Sequence, residues 1–528
     1  MTFFACIRQN EGMLRWAFLV AIASGPWFAA YSQTPAAGVV HASVAVTGDP
    51  SNSYALYLPT AYSPARRWPI LLAFDPFARG EISVKLFHEA AEKYGFIVVG
   101  SNNSRNFQDP SAAIRLLGAD VKEHYSIDPR RLYVTGLSGG ARVASSLAMA
   151  CKGCVAGVIA NSAGLPSGRS TPGPEVADWF LVAGTTDFNY PEMLHLNEAL
   201  ERNNAVSRFL VFDGPHGWMP KNFAEQSLAW LQLRAMVKGL APVDKDFVGK
   251  QFDERLAEAQ SAQKSGDILT AVRAYHEIAA DFRTFRDVKE QEALAKSLAD
   301  SEAFRKAKKN EKAALELEDD VATKIGTLVA GIADMPDNRD AFAQLETAAE
   351  NASRDQRQGS NPERKNAIAR GLASAFAYAV ETGQQAMLKK DFRSAREMFQ
   401  ASEIIQPDSA WAIYLSATAH AELGEKKEAI REFNDNTAPD RLELSEIFAE
   451  LFSHYYINLN PAGNWNILQV PANVADDVTG IKAGASINQL LLAALPAETK
   501  VATLVYAYGF KQAEAEAMCL PPGPLKGE

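Results

Sequence analysis

The sequence predicts an α/β domain, a mostly parallel sheet with flanking helices, followed by an all-α helical region. Three observations predict it. Short runs rich in apolar and β-branched residues alternate with helical patterns from Val39 to Leu240. One run turns through Gly136-Leu137-Ser138-Gly139-Gly140 straight into an alanine-rich helical pattern. Beyond Leu240 the strand signals fade, and alanine, charge and helical period take over. The 528 residues exceed one ordinary domain, and 47% hydrophobic content is ample for more than one core. A net charge of −10 argues against nucleic acid or an anionic membrane as partner, because neither is attracted to such a surface. No Cys/His cluster has zinc-finger spacing.

Taken in order, residues 1–32 read as an export signal. Arg15 precedes an apolar run from Trp16 to Ile22, and Ala30-Tyr31-Ser32 offers small residues for cleavage after Ser32. Met13 is an alternative start. The run is short and broken by Gly25-Pro26, which disfavours a stable membrane span after cleavage. An exported protein, periplasmic or secreted, is therefore expected. Residues 39–47 and 53–58 read as an antiparallel hairpin around Gly48-Asp49-Pro50. Strands then follow at 68–75, 96–100, 132–135, 155–160, 179–183 and 208–212, each apolar enough to be buried on both faces. Helical patterns near 84–94, 110–124, 139–150, 190–203 and 221–238 separate them, as a parallel sheet requires.

The turn at 136–140 is a G-x-S-x-G between a strand and a helix, the context that exposes a serine Oγ at a helix N-terminus. Here the chain resembles the α/β-hydrolase superfamily, over about 200 residues (39–240), and more narrowly compact secreted esterases such as feruloyl esterases and polyester depolymerases. The resemblance implies Ser138 as nucleophile and the Gly139 N–H as oxyanion donor, followed in chain order by an acid and then a histidine. Of the eight histidines, only His195 and His216 fall after the serine within the α/β region. His195 lies inside a helical pattern. His216 follows the last strand in a loop of Gly214, Pro215 and Gly217, where a base belongs. The acid is Asp187, after the strand at 179–183, with Asp213 as its rival. Spacings of 49 residues from Ser138 to Asp187, and 29 more to His216, leave no room for a large lid.

One loop departs from the superfamily pattern. After the first parallel strand the chain reads Phe74-Asp75-Pro76-Phe77-Ala78-Arg79-Gly80. Pro76 has no N–H, so Phe77 is expected to supply the second oxyanion donor, with Ala78 as substitute. Asp75 is expected to cap the loop rather than face a developing negative charge. Cys151-Lys152-Gly153-Cys154 suits a local disulfide better than redox chemistry in an exported chain.

Residues 241–248 read as a linker and 249–445 as a helical region. Ala395 and Phe399 recur as Ala429 and Phe433 after 34 residues, with Gly383 and Pro407 at matching offsets. The stretch 376–440 thus resembles two tetratricopeptide (TPR) repeats, and Ala271 and Tyr275 echo them more weakly. Residues 446–528 read as a helical extension with a disordered tail.

Two function classes fit. One is an exported serine hydrolase acting on small or polymer-borne esters, needing neither metal nor cofactor, its TPR-like arm binding a substrate or a protein partner. The other is a TPR-type scaffold carrying an inactive hydrolase domain, which the atypical FDPFARG loop favours. A serine peptidase is a weaker third, since no propeller-sized domain is present to filter peptides.

Overall fold

The computed structural model describes residues 35–334, 338–407, 409–425, 428, 429 and 432. The expected signal at 1–32, the extension at 446–528 and Phe433 lie outside them. The chain divides into two units. Among the described residues, the first comprises those to Gly184, Glu192–Asp213 and Gly217–Phe304; the second comprises Thr185–Pro191, Gly214–His216 and those from Arg305 onward.

The first unit is built on one eight-stranded sheet. Its strands are β1 (Val40–Val46), β2 (Asp49–Tyr57), β3 (Trp68–Phe74), β4 (Ile97–Ser101), β5 (Ile127–Leu137), β6 (Gly157–Asn161), β7 (Asp178–Gly184) and β8 (Ser207–Phe212). They lie in the order β1-β2-β4-β3-β5-β6-β7-β8. The first hairpin is antiparallel, as is the β2–β4 pairing, and every later pairing is parallel. The hairpin is tighter than the sequence suggests. Val46 pairs with Asp49 across Thr47-Gly48, and Gly48 takes φ 79°, a left-handed conformation that glycine adopts without steric cost. Pro50 falls in β2 outside the segment paired with β4, where its missing N–H costs nothing.

Helices α1 (Gly80–Tyr94), α2 (Ser111–His124), α3 (Gly139–Ala150) and α4 (Tyr190–Arg202) carry the crossovers out of β3, β4, β5 and β7, residues 162–177 join β6 to β7 without one, and α5 (Lys221–Val237) follows β8. One core cluster packs Val84, Phe87 and Ala91 of α1 and Leu228, Trp230 and Leu231 of α5 on Leu71, Val98, Tyr133 and Phe180 of the sheet. Full burial of side chains this size contributes roughly 1.5–3 kcal/mol each, which is why these strands read as unbroken apolar runs.

Three further helices belong to this unit: α6 (Lys245–Ser265), α7 (Ile268–Phe282) and α8 (Lys289–Ala299). The boundary expected at 241–248 falls inside the unit. Asp244 caps α6 by accepting from the N–H groups of Asp246 and Phe247. The reason the unit continues is the open edge of the sheet. β8 is the last strand, and its Phe209 N–H donates to Glu277 Oε1 of α7 at 3.1 Å. Charge then follows burial. Arg234 of α5 meets Asp178 of β7 at 3.0 Å and Asp281 of α7 at 3.4 Å. Arg255 of α6 meets Asp281 at 2.6 Å, and Trp230 Nε1 donates to the same carboxylate at 2.8 Å. Burial pushes Arg208 of β8 down to about 10 and Glu277 up to about 7, each moved toward its neutral form because the interior disfavours charge.

In the second unit the described helices are α9 (Glu302–Asp334), α10 (Arg339–Gln358), α11 (Pro362–Leu388), α12 (Phe392–Ile405) and α13 (Ala410–Glu422). Asn338, Asn361, Asp391 and Ser409 cap α10 to α13, each accepting from a backbone N–H in the first turn. Gly383 of α11 lies against Phe399 of α12, where an added Cβ would come within 2.4 Å of the ring. Two residues of the repeat-like pattern therefore meet across a helix hairpin. The core here joins Ile325, Val329 and Ile332 of α9 to Leu345 of α10, Leu372 of α11 and Met398 of α12.

The buried network yields a stability prediction. Asp281→Ala leaves Arg255 and Arg234 short of a carboxylate and Trp230 without an acceptor, and should cost about 3–5 kcal/mol in urea unfolding. A loss below about 1 kcal/mol would show that α7 does not anchor the sheet edge.

Candidate active site

Ser138 stands between the end of β5 and the start of α3, half-buried, with φ 53° and ψ −121°. A left-handed φ at a non-glycine residue costs on the order of 1–3 kcal/mol and persists only where its surroundings enforce it. They do so here. The Ser138 N–H donates to the Asn161 carbonyl at 2.9 Å, and the Ser138 carbonyl accepts from Ala141 and Arg142 of α3. Gly140 makes the approach of strand and helix possible: a Cβ there would sit 2.0 Å from the Phe74 carbonyl oxygen. The Gly139 N–H is the first of α3, so the helix gives it no acceptor of its own.

Asp187 follows β7 and is fully buried. Its Oδ1 accepts from His216 Nδ1 at 2.7 Å and from the Asn189 N–H at 2.9 Å. The Asp187 carbonyl accepts from Tyr190 at the start of α4. One residue thus turns the chain into the helix and holds the imidazole. His216, half-buried after β8, stacks on Phe188 with ring centroids 4.1 Å apart. Two hydrogen bonds lace the loops together: the Thr186 N–H donates to the Gly214 carbonyl, and the Gly214 N–H to the Thr185 side-chain Oγ1. The rival Asp213 is exposed, and His195 lies on the exposed side of α4. β5, β7 and β8 are parallel strands of one sheet, so Ser138, Asp187 and His216 all follow its C-terminal edge.

The FDPFARG loop corrects one expectation. The Phe77 N–H donates to Asp75 Oδ1 at 2.8 Å, and the Ala78 N–H to the Asp75 carbonyl at 3.0 Å. Both N–H groups are thus engaged within the loop, and the Phe77 N–H expected as the second oxyanion donor is taken by Asp75 Oδ1. The physical reason is Asp75 itself. Buried in a loop, its carboxylate gathers every nearby donor: Arg79 through Nε at 2.8 Å and Nη2 at 2.9 Å, and Trp218 Nε1 at 2.9 Å.

Two residues were not legible in the sequence. Asn161, fully buried at the end of β6, accepts from the Met219 N–H at 2.7 Å through Oδ1. Its Nδ2 donates to the Gly217 carbonyl at 2.8 Å. Asn106 lies across the elbow: a Cβ on Gly139 would be 1.8 Å from its Oδ1 and 3.1 Å from its Nδ2. Its own N–H donates to the Pro76 carbonyl at 2.8 Å, and Phe77 bridges to Arg105 beside it. No other side chain among the described residues hydrogen-bonds this carboxamide. An asparagine after a strand is a common loop residue, so local pattern marks neither position. Arg142 of α3 pairs with Glu192 of α4 at 2.7 and 2.8 Å, and the Gly164 N–H joins Glu192 at 2.9 Å, fixing the elbow helix. Among the described residues no cluster of His, Cys, Asp or Glu could hold a metal ion. Cys151 and Cys154, beyond α3, are joined as a disulfide.

A strained serine between a parallel strand and a helix, in a mostly parallel eight-stranded sheet, decides the architecture. The fold is that of an α/β hydrolase. No protein-family model and no curated protein matches the chain. Among solved structures it is similar to a fluorophosphonate-binding serine hydrolase of Staphylococcus aureus, at 13% identity and TM-score 0.29, covering 37% of this chain and 96% of that one. It is also similar to an esterase of Pyrobaculum calidifontis, at 12% identity and TM-score 0.32, over 38% and 86% of the two chains. A feruloyl esterase module of Clostridium thermocellum gives 18%, TM-score 0.30, and coverage of 37% and 86%. At such values the fold assignment rests on strand order and elbow rather than on these likenesses.

The Asp187–His216 contact sets the imidazole tautomer, because an ionised carboxylate only accepts. Neutral His216 should carry its proton on Nδ1, read by nitrogen-15 NMR of the imidazole, and Asp187→Asn should shift it toward Nε2. An unchanged spectrum would mean that Asp187 does not orient the ring.

Proposed function

We propose that this chain is a serine hydrolase of carboxylic esters, exported, with Ser138 as nucleophile, His216 as base and Asp187 as orienting acid. The observation that carries the reading is the hydrogen bond between buried Asp187 and half-buried His216, on loops following the same sheet edge as the strained Ser138. In this reading His216 Nε2 takes the Ser138 proton as Oγ attacks the acyl carbon, and Asp187 stabilises the imidazolium. The imidazolium then protonates the departing alkoxide. Water, deprotonated by the same nitrogen, releases the acid and restores the serine. The Gly139 N–H binds the oxyanion. With the Phe77 N–H turned onto Asp75, the second donor we assign is Nδ2 of Asn106, whose carboxamide lies over Gly139 with Oδ1 the nearer atom and has to rotate to present its N–H. A compact site without a large insertion suits exposed esters on small molecules or polymers.

The engaged Phe77 N–H favours a second reading, in which the hydrolase domain is inactive and the helical unit works as a scaffold. One assay separates them. Wild-type protein should hydrolyse a short-chain p-nitrophenyl ester and take up a fluorophosphonate, while Ser138→Ala should lose both with an unchanged melt. No labelling of the wild type would leave the scaffold standing.

The oxyanion assignment has its own test. Asn106→Ala should lower kcat by about 10²–10³ at nearly constant KM, the usual loss for one oxyanion donor. A kcat within a few-fold of wild type would return the role to backbone alone.

A further inference from the structure

The second unit joins its helices to the very loops that carry Asp187 and His216, and a buried ion pair lies at that junction. Arg370 of α11 donates from Nε to Glu318 Oε2 of α9 at 2.6 Å. From Nη1 it donates to the Thr185 carbonyl at 2.9 Å, and its guanidinium lies 4.6 Å from the centre of the Tyr190 ring. Both charged side chains are only 6% exposed. Thr185 precedes Asp187 by two residues and Tyr190 follows it by three, so one guanidinium grips the acid loop on both sides of the acid. The gripped residue is also the one whose Oγ1 accepts from the Gly214 N–H, two residues before His216.

The pair is poorly explained as a stabilising device. Burying both charges costs several kcal/mol per ion before they attract, and apolar residues of equal volume often do as well. The surroundings fix where the guanidinium sits. Next to Arg370, Gly371 brings α11 so close to α9 that a Cβ would lie 2.7 Å from Val321 Cβ and 2.8 Å from the Glu318 carbonyl oxygen. This holds Arg370 and Glu318 in one register.

We infer that Arg370, held by Glu318, is a positioning residue for the Asp187–His216 pair, so that helices more than 100 residues downstream set the geometry of the acid loop. The inference rests on the serine-hydrolase reading for its effect on rate, but not for its effect on the imidazole. The groups that share this environment are Asp187, His216, Tyr190, Glu318 and, along α9, Asp319. Burial pushes the Glu318 carboxyl up to about 7 against the pull of Arg370, and Asp187 and Asp319 add to the rise. Arg370 is thus the cation that lets two buried carboxyl groups share one junction.

The test uses the full-length chain and three variants: Arg370→Met, Arg370→Lys, and the double change Arg370→Met with Glu318→Leu. The double variant removes one charge of each sign and refills the volume, so its melt should stay close to wild type. Its kcat should fall 10- to 100-fold at nearly constant KM. Arg370→Lys should recover part of the loss, since an ammonium keeps the charge but not the planar fork. The His216 Nδ1–H proton resonance, downfield in the wild type, should broaden or shift upfield in the double variant. That signal also reads the inference if the wild type proves to have no esterase activity. A double variant with wild-type kcat, or a resonance unmoved in either case, overturns it.

Discussion

The site depends on one buried asparagine. Asn161 ends β6, between the strand that delivers the serine and the strand that precedes the acid. Its carbonyl takes the Ser138 N–H, and its carboxamide holds Gly217 and Met219, directly after the histidine. An unmet carboxamide in an apolar interior would be costly, so the bonds are enforced as well as made. The left-handed Ser138 is the counterpart of this constraint. A strained residue needs a surrounding that over-determines it, and here the sheet hydrogen bond on one side and the first turn of α3 on the other supply it.

Buried charge performs two different tasks in the two units. In the first, Glu277 and Asp281 of α7 close the edge of the sheet and gather Arg208, Arg234 and Arg255, none of which could be left alone at that depth. An open strand edge with unpaired N–H groups invites association, and the helix that covers it brings its own counter-charges. In the second unit the Arg370–Glu318 pair closes no edge. It reaches the Thr185 carbonyl and the Tyr190 ring instead. The helices beyond the sheet are therefore not interchangeable: α6 to α8 complete a fold, and α9 and α11 support a loop.

The FDPFARG loop shows how one residue redirects its neighbours. A carboxylate at position 75 has to be satisfied, and Arg79, Trp218 and the Phe77 N–H all turn to it. The donor that the superfamily pattern places here is consumed in the process. The same loop carries the left-handed Ala78, at φ 61°, and crosses the segment containing Asn106 and the left-handed Phe107, at φ 63°. Strain and cross-bracing together hold a side-chain amide over the elbow. This is the feature that distinguishes the chain's own reading of the site from the general one.

The sequence by itself determined the parts whose signals are local. Strands buried on both faces must be continuous apolar runs, so β3, β4, β6 and β7 were legible as such, while the first hairpin showed in its turn residues and the elbow in its glycines. The resemblance and the chain order it implies pointed to Asp187 and His216, and these side chains lie 2.7 Å apart. Tertiary structure decided what depends on distant partners. The direction of the Phe77 N–H follows from Asp75, the place of Asn106 from the crossing loop, and the continuation of the first unit to Phe304 from Glu277 and Asp281. Arg370 meets Thr185 across 185 residues of chain. A buried polar contact of that span is fixed by the packing of whole elements, and it leaves no period or spacing in the sequence on either side.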